Sequence, residues 1–318
     1  LKDFYAPDFE VIYIKNGSSN IEISNCKIHD ISVTQADGNA HAILAKSTTD
    51  KTMRNITIKN NKIYNCKTGY SEAVTIQGNV EGFVVSRNVI HDNTNIGIDI
   101  AGFYNNACSD PRLNQARKGV VSGNLIYNLY CAYATCAGIY VDGGRDTIIE
   151  NNTIYNTMYG IEIGCENAVD KVHTSFPASV SGIVVRNNLV YNNTKAGLAN
   201  GGYEGLDTGK VIGTEIYGNT FYNNVVEIEL SYCDDIMIEK NIIDNSGSSR
   251  YFIYSDMPGL ATRISLDNNL YFRQDGSGKF KFNGQYAASL SEWQSKFNQR
   301  SEERRGGKEF RYRWSAFN

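Results

Sequence analysis

Apolar and polar residues alternate along this chain in runs of only three to five, and the runs recur. IEISNCKIHD is followed by ITIKNNKIYN, VVSRNVIHDN, VVSGNLIYNL, IIENNTIYNT, VVRNNLVYNN, EIYGNTFYNN, IMIEKNIIDN and ISLDNNLYF. One position heads the second half of each copy: Cys26, then Asn61, Asn88, Asn124, Asn152, Asn188, Asn219, Asn241 and Asn269. From Asn61 to Asn269 there are 208 residues in seven steps, with a shortest step of 22. Alternation with period two predicts strands, and a repeat of that length holds several short ones. A single repeat cannot bury its own apolar face, so the repeats must stack.

Consecutive parallel strands with short connections wind right-handedly. Stacking places equivalent residues about 4.8 Å apart, so an inward asparagine in each turn can hydrogen-bond its equivalents above and below. The pattern therefore predicts an all-β fold, a right-handed single-stranded parallel β-helix (a solenoid) of about nine coils with an asparagine ladder. It is expected over 1–283, with a capping segment at 284–299. Nine of the last nineteen residues are charged, so 300–318 is read as a disordered or foreign tail.

Composition agrees with a repetitive β structure. The chain has 36 asparagines, 32 isoleucines, 29 glycines and only four prolines among 318 residues. A net charge of −3 without a basic run argues against nucleic acid as partner. No apolar run reaches membrane-spanning length. The chain opens at Leu1, so a removed secretion signal would not be seen. Its seven cysteines include no CxxC pair and are read as buried thiols, with a Cys131–Cys136 disulfide left open.

The asparagine-ladder repeats, with the strings GYSEAVTIQGN, NIGIDIAG, AGIYVDGG and YGIEIGCEN, resemble the β-helix family of carbohydrate-active proteins. Within it they resemble polysaccharide lyases of the alginate-lyase and pectate-lyase type. The likeness runs from about Asp8 to Asn283. It implies a secreted or cell-surface protein, a monomer acting on a polysaccharide. The same architecture also carries hydrolases and adhesins.

A second strand in each coil aligns as AILAK, AVTIQ, GIDIA, GIYVD, GIEIG, GLANG and EIELS. Between inward apolar partners, its outward column is Leu44, Thr75, Asp99, Tyr140, Glu162, Ala199 and Glu229. Two residues on lie Lys46, Gln77, Ala101, Asp142 and Gly164; three residues before lie His41 and Glu72. The long connections Phe103–Lys118, Asn167–Ser181 and Tyr203–Gly213 follow this strand and should wall a groove beside it.

Elimination from a uronate polymer needs a base, an acid for the leaving oxygen and a cation beside the substrate carboxylate. Arg117 and Lys118 are the cation candidates. Tyr140 is the acid or base, with Lys118 or His41 as other bases. Asp99, Asp142 and Glu162 would hold Ca²⁺ or orient these groups. His41, Lys46, Glu72, Arg145, Glu166 and Tyr203 are candidate substrate contacts. Hydrolysis reads the same face differently: Asp99 and Glu162, two coils or about 9.6 Å apart, suit an inverting pair. Asp142 with Glu162 would be closer. A non-catalytic glycan-binding protein is the third reading. The column Tyr64, His91, Tyr127, Tyr155, Tyr191 and Tyr222 is expected to stabilise stacked coils rather than to bind sugar, and Glu229 to keep a face soluble.

Overall fold

The computed structural model describes residues 1–35, 37–104, 107–202, 207–245, 251–273, 279–297 and 302–305. Each coil lays one strand in each of three parallel sheets. The coil that begins at Val74 shows the scheme: Val74–Gly78 lies in the first sheet, Val80–Ser86 in the second and Val89–Asn93 in the third. The chain then returns to the first sheet at Ile98–Ala101. Strand order within each sheet follows chain order, coil upon coil, and the path is right-handed.

The turn from second to third sheet explains the asparagines. Its first residue is left-handed: Asn60 (φ 55°), Arg87 (52°), Gly123 (64°), Asn151 (55°), Asn187 (55°) and Gly218 (66°). Asparagine and glycine tolerate that region best. The next residue is the buried ladder asparagine. Asn88 donates its backbone N–H and its Nδ2 to Asn124 Oδ1, both at 3.0 Å, and a further Nδ2 bond reaches Ile58 O. The same set repeats from Asn61 to Asn269. Cys26 fits the first position because its ladder bond needs only the backbone N–H, which donates to Asn61 Oδ1 at 2.9 Å, while its Sγ turns to Ser24 O.

Inside, Ile63, Ile76, Ile90, Ile100, Val121, Ile154 and their equivalents form one continuous core with no solvent exposure. On the outer face of the third sheet His29, Tyr64, His91, Tyr127, Tyr155, Tyr191 and Tyr222 stack ring on ring. Their centroids are 4.8–5.3 Å apart, with planes within 14°. Each ring spends its faces on its neighbours, which leaves edges, not platforms, for a sugar. The seven cysteines are free thiols, six of them buried.

Beyond Phe280–Phe282 the chain reverses into the antiparallel strand Gln285–Ala287 and the helix Leu290–Phe297. Trp293, fully buried, lies 4.7 Å over Phe280 and covers the last coil. Within the stretch read as a disordered tail, Glu302–Arg305 runs as a strand beside Leu270–Arg273; 306–318 lie outside the described residues. Among the described residues no helix is long and apolar enough to cross a membrane.

Candidate active site on the first sheet

The pairing register stacks the expected column: Leu44 beside Thr75, Thr75 beside Asp99, Asp99 beside Tyr140, Tyr140 beside Glu162, Glu162 beside Ala199 and Ala199 beside Glu229. Their strand neighbours Ile98, Ile100, Ile139, Val141, Ile161 and Ile163 fill the core, so the column points outward. It is nevertheless covered. Asp99 is 6%, Tyr140 3% and Glu162 2% exposed, because loops from both edges of the sheet fold over it.

Those loops enclose a recess of about 570 Å³. Its floor holds Thr75, Gln77, Asp99, Tyr140 and Asp142. One wall comes from turns that lead into the sheet and carries His41, Tyr70, Glu72 and Tyr133. The other comes from the long connections after the sheet and carries Tyr104 and Glu166. This second wall is braced: Asn114 donates to Tyr104 O (2.7 Å) and to the fully buried Asp170 (2.5 Å) of the next long connection.

The polar groups fall into two sets. In the first, Tyr104 Oη bonds Asp142 Oδ2 and lies 2.9 Å from Glu166 Oε2, while the Glu166 N–H donates to Asp142 Oδ1 at 2.7 Å. One phenol carries one proton, so the Tyr104 hydroxyl can donate to only one of the two carboxyl groups at a time. Burial, with Glu166 adding like charge, pushes the Asp142 carboxyl up to about 8. In the second set, His41 Nε2 lies 3.2 Å from Glu72 Oε2, which also accepts from Thr75 Oγ1 at 2.8 Å. With Nε2 as the donor, His41 Nδ1 is a bare acceptor, and it is buried without a partner. Asp99 Oδ1 and Tyr140 Oη, between the two sets, are likewise buried without partners. Burial, then Glu72 and Asp142, raise the Asp99 carboxyl well above the ordinary range. Gly164 allows the close approach of the Gly202 backbone, since a Cβ there would stand 2.9 Å from the Gly202 Cα.

Several expectations need correction. Arg117 and Lys118 do not reach the recess. They begin a strand of the second sheet, where the Arg117 guanidinium is buried against Glu81 (2.9 Å), Asn79 (3.1 Å) and Gln115 O (3.1 Å). Lys118, turned by its left-handed backbone (φ 53°), meets Glu81 at 3.3 Å. Arg145 stands beside Arg117 in that sheet and pairs with Asp146. Lys46 shares a column with Gln77 and a strand with His41 but does not line the recess. Glu162 opens into a second, smaller recess of about 130 Å³ with Tyr159 and Glu229. Burial pushes Glu162 up to about 8, with Asp142 and Glu166 adding to it. Glu229 is half-buried in that recess rather than a solubilising surface group. Tyr203 lies outside the described residues.

Nor do the acids suit calcium. Asp99 and Asp142 share one recess and Glu162 sits in the other. Among the described residues no three His, Cys, Asp or Glu side chains converge as metal ligands. The groups present do not fit the ion.

Tyr104, Tyr70 and Tyr133 were not singled out from the sequence. Tyr70 and Tyr133 stand half-exposed at the mouth, rings 4.9 Å apart and tilted by 58°, with Tyr133 Oη donating to Gly69 O at 3.0 Å. Their loops vary in length and carry no repeat signal, so period counting passes over them.

Residues 10–208 and 121–292 match the family model described as right handed beta helix region. The chain is 34% identical over 284 residues to the uncharacterized protein YwoF of Bacillus subtilis (strain 168). The alignment takes in 85% of this chain and 58% of YwoF, so the chain spans little more than half of that relative. Among solved structures it is similar to XylC in complex with xylose, at 15% identity and a TM-score of 0.49, over 79% of this chain and 41% of that one. It is also similar to the A-module of the mannuronan C-5 epimerase AlgE6 of Azotobacter vinelandii, at 14% identity and a TM-score of 0.44, over 94% and 72%. With its ladder, three parallel sheets and a family match running from residue 10 to 292, the chain belongs to the right-handed β-helix family.

Proposed function

We propose that this protein is a polysaccharide-cleaving enzyme that works in the recess on the first sheet, as a glycoside hydrolase. The observation that carries this reading is a pair of buried carboxyls lining one recess, Asp142, pushed up to about 8 by burial and Glu166, and Asp99, whose Oδ1 has no partner. Asp99 and Asp142 lie one coil apart and two residues offset along the sheet. That places their Cα atoms about 8 Å from each other, from the strand spacing and two residue rises. An acid and a base on two carboxyl groups about 6.5–9.5 Å apart, with a water between, are what inverting glycoside hydrolysis requires. Asp142 gives its proton to the glycosidic oxygen as the C–O bond breaks. Asp99, in the molecules where its raised carboxyl is ionised, takes a proton from the water whose oxygen forms the new bond to the sugar carbon. Tyr104 and Glu166 hold Asp142 in place, and Tyr70 and Tyr133 offer aromatic faces to sugar rings at the entrance.

The lyase expectation loses its cation, since Arg117 and Lys118 pair with Glu81 on another sheet. An unpaired Tyr140 hydroxyl in the same recess as the His41–Glu72 pair is what remains in its favour. A polymeric substrate fits action outside the cell.

Incubation with neutral, amino and uronate glycans decides between the readings. New reducing ends without the ultraviolet absorbance of an unsaturated uronate are the expected outcome. Both signals together would return the reading to elimination. No new ends on any glycan would leave a binding protein.

A further inference from the structure

The geometry points to a glycan that carries free amino groups on its sugars, a hexosamine polymer, as the ligand of this face. The inference rests on the reading of the first sheet as a glycan site, and goes beyond it in naming the substrate class.

The wall of the main recess contains Glu72, Asp99, Asp142 and Glu166, and among its described residues no lysine or arginine. A polyuronate would bring more negative charge into that space without a cation to meet it. Four buried polar atoms lining the same recess have no partner: His41 Nδ1, Asn95 Oδ1, Asp99 Oδ1 and Tyr140 Oη. All four can accept a hydrogen bond. What the recess lacks is donors with positive charge, and an ammonium group supplies three donors on one cation. Asp99 and Tyr140 are 6% and 3% exposed, so these acceptors are built into the floor rather than scattered on a surface.

The acids also recur along the coil axis. Glu72 precedes its strand, Asp99 sits on the next, Asp142 on the next and Glu162 on the one after, with Glu229 two strands further on. Successive coils are about 4.8 Å apart. One carboxyl per coil, staggered along the strands and running from the main recess into the second, suits a chain that presents an ammonium on successive sugars. The raised carboxyls follow from the same arrangement: acids crowded out of water hold protons until a cation arrives. Binding of an ammonium then favours the ionised form and releases protons.

Calorimetric titration of the full chain tests this, with oligomers of glucosamine and of galactosamine, each free and N-acetylated, and with oligogalacturonate. Acetylation removes the charge and keeps the sugar. At least one free-amino oligomer should bind about tenfold or more tightly than its acetylated form at low salt, a preference that shrinks as salt is added. At pH 7 its binding should release protons, read as a difference in heat between buffers, and Asp99→Asn should reduce both the preference and the release. Equal or tighter binding of the acetylated forms, tighter binding of the uronate, or no binding of either free-amino oligomer overturns the inference. New reducing ends from a neutral glycan with no preference for amino sugars would overturn it and leave hydrolysis standing. Tight amino-glycan binding without new ends on any glycan would sink hydrolysis and leave this inference intact.

Discussion

At the scale of single residues, protons decide what the recess does. Asp142 and Glu162 each hold a proton up to about 8, where an exposed carboxyl loses it near 4. Between those values the folded chain binds more protons than the unfolded one, so stability falls as pH rises through that window and levels off above it. Unfolding midpoints measured from pH 4 to 9 should show this decline, and Asp142→Asn together with Glu162→Gln should flatten it. Activity should follow Asp142 on its alkaline side, with half the rate lost near 8. The raised Asp99 carboxyl should move the acid limb upward from the ordinary carboxylate range, as a rate profile against pH reads directly. Tyr104→Phe removes the hydroxyl shared by Asp142 and Glu166 and should shift the alkaline limb as well as lower turnover. An unchanged limb in that variant would show that Asp142 is not the acid. Asp99, Asp142 and Glu162 were legible in the sequence because strands in register repeat them at fixed offsets. Tyr104 was not: it reaches the recess from an irregular connection whose course depends on the buried Asn114–Asp170 bond.

At the scale of elements, the ladder turn is the unit that repeats. Removing the Asn124 side chain takes away the partner of the Asn88 backbone N–H, one of the two partners of Asn88 Nδ2 and the bond to the carbonyl of Val85. Asn124→Ala should therefore cost on the order of 2–5 kcal/mol, measured as a lower denaturant midpoint, with activity of the folded fraction unchanged. Arg117 belongs to the same kind of structural bonding. Arg117→Met should lower the unfolding midpoint and leave turnover per folded molecule as it was, because its guanidinium ties Glu81, Asn79 and Gln115 at the edge of the second sheet. A large fall in turnover at an unaltered midpoint would put Arg117 back in the site. Its sequence position misled for a definite reason. The residue follows a long loop that does wall the recess, but it is the first of the strand that leaves it. The aromatic column illustrates the opposite case. A residue type repeated at the ladder's own period, one per coil, stacks whatever the loops do, and its role followed from spacing alone.

At the scale of the whole molecule, the coil is closed at its far end by the helix Leu290–Phe297. Trp293 packs there between Phe280 and Phe297. Trp293→Ala removes a fully buried ring and should cost about 3–5 kcal/mol. It also bares the final coil, so size-exclusion chromatography should show self-association. A monodisperse variant with an unaltered midpoint would mean that the helix is not what protects that end. The loops and the coil then divide the work: the coil supplies a row of outward groups at fixed pitch, and the loops decide which of them share a space. By itself the sequence determined the β-helix, the inward asparagines and the outward column, because all three are consequences of a period, and a period survives without coordinates. Only the tertiary structure decided that the column is buried under two walls. It alone separated Glu162 from Asp99 and Asp142, turned Arg117 and Lys118 to Glu81, and brought Tyr104 over Asp142. Those outcomes depend on how non-repeating loops of unequal length pack on one another, and no spacing along the chain encodes that packing.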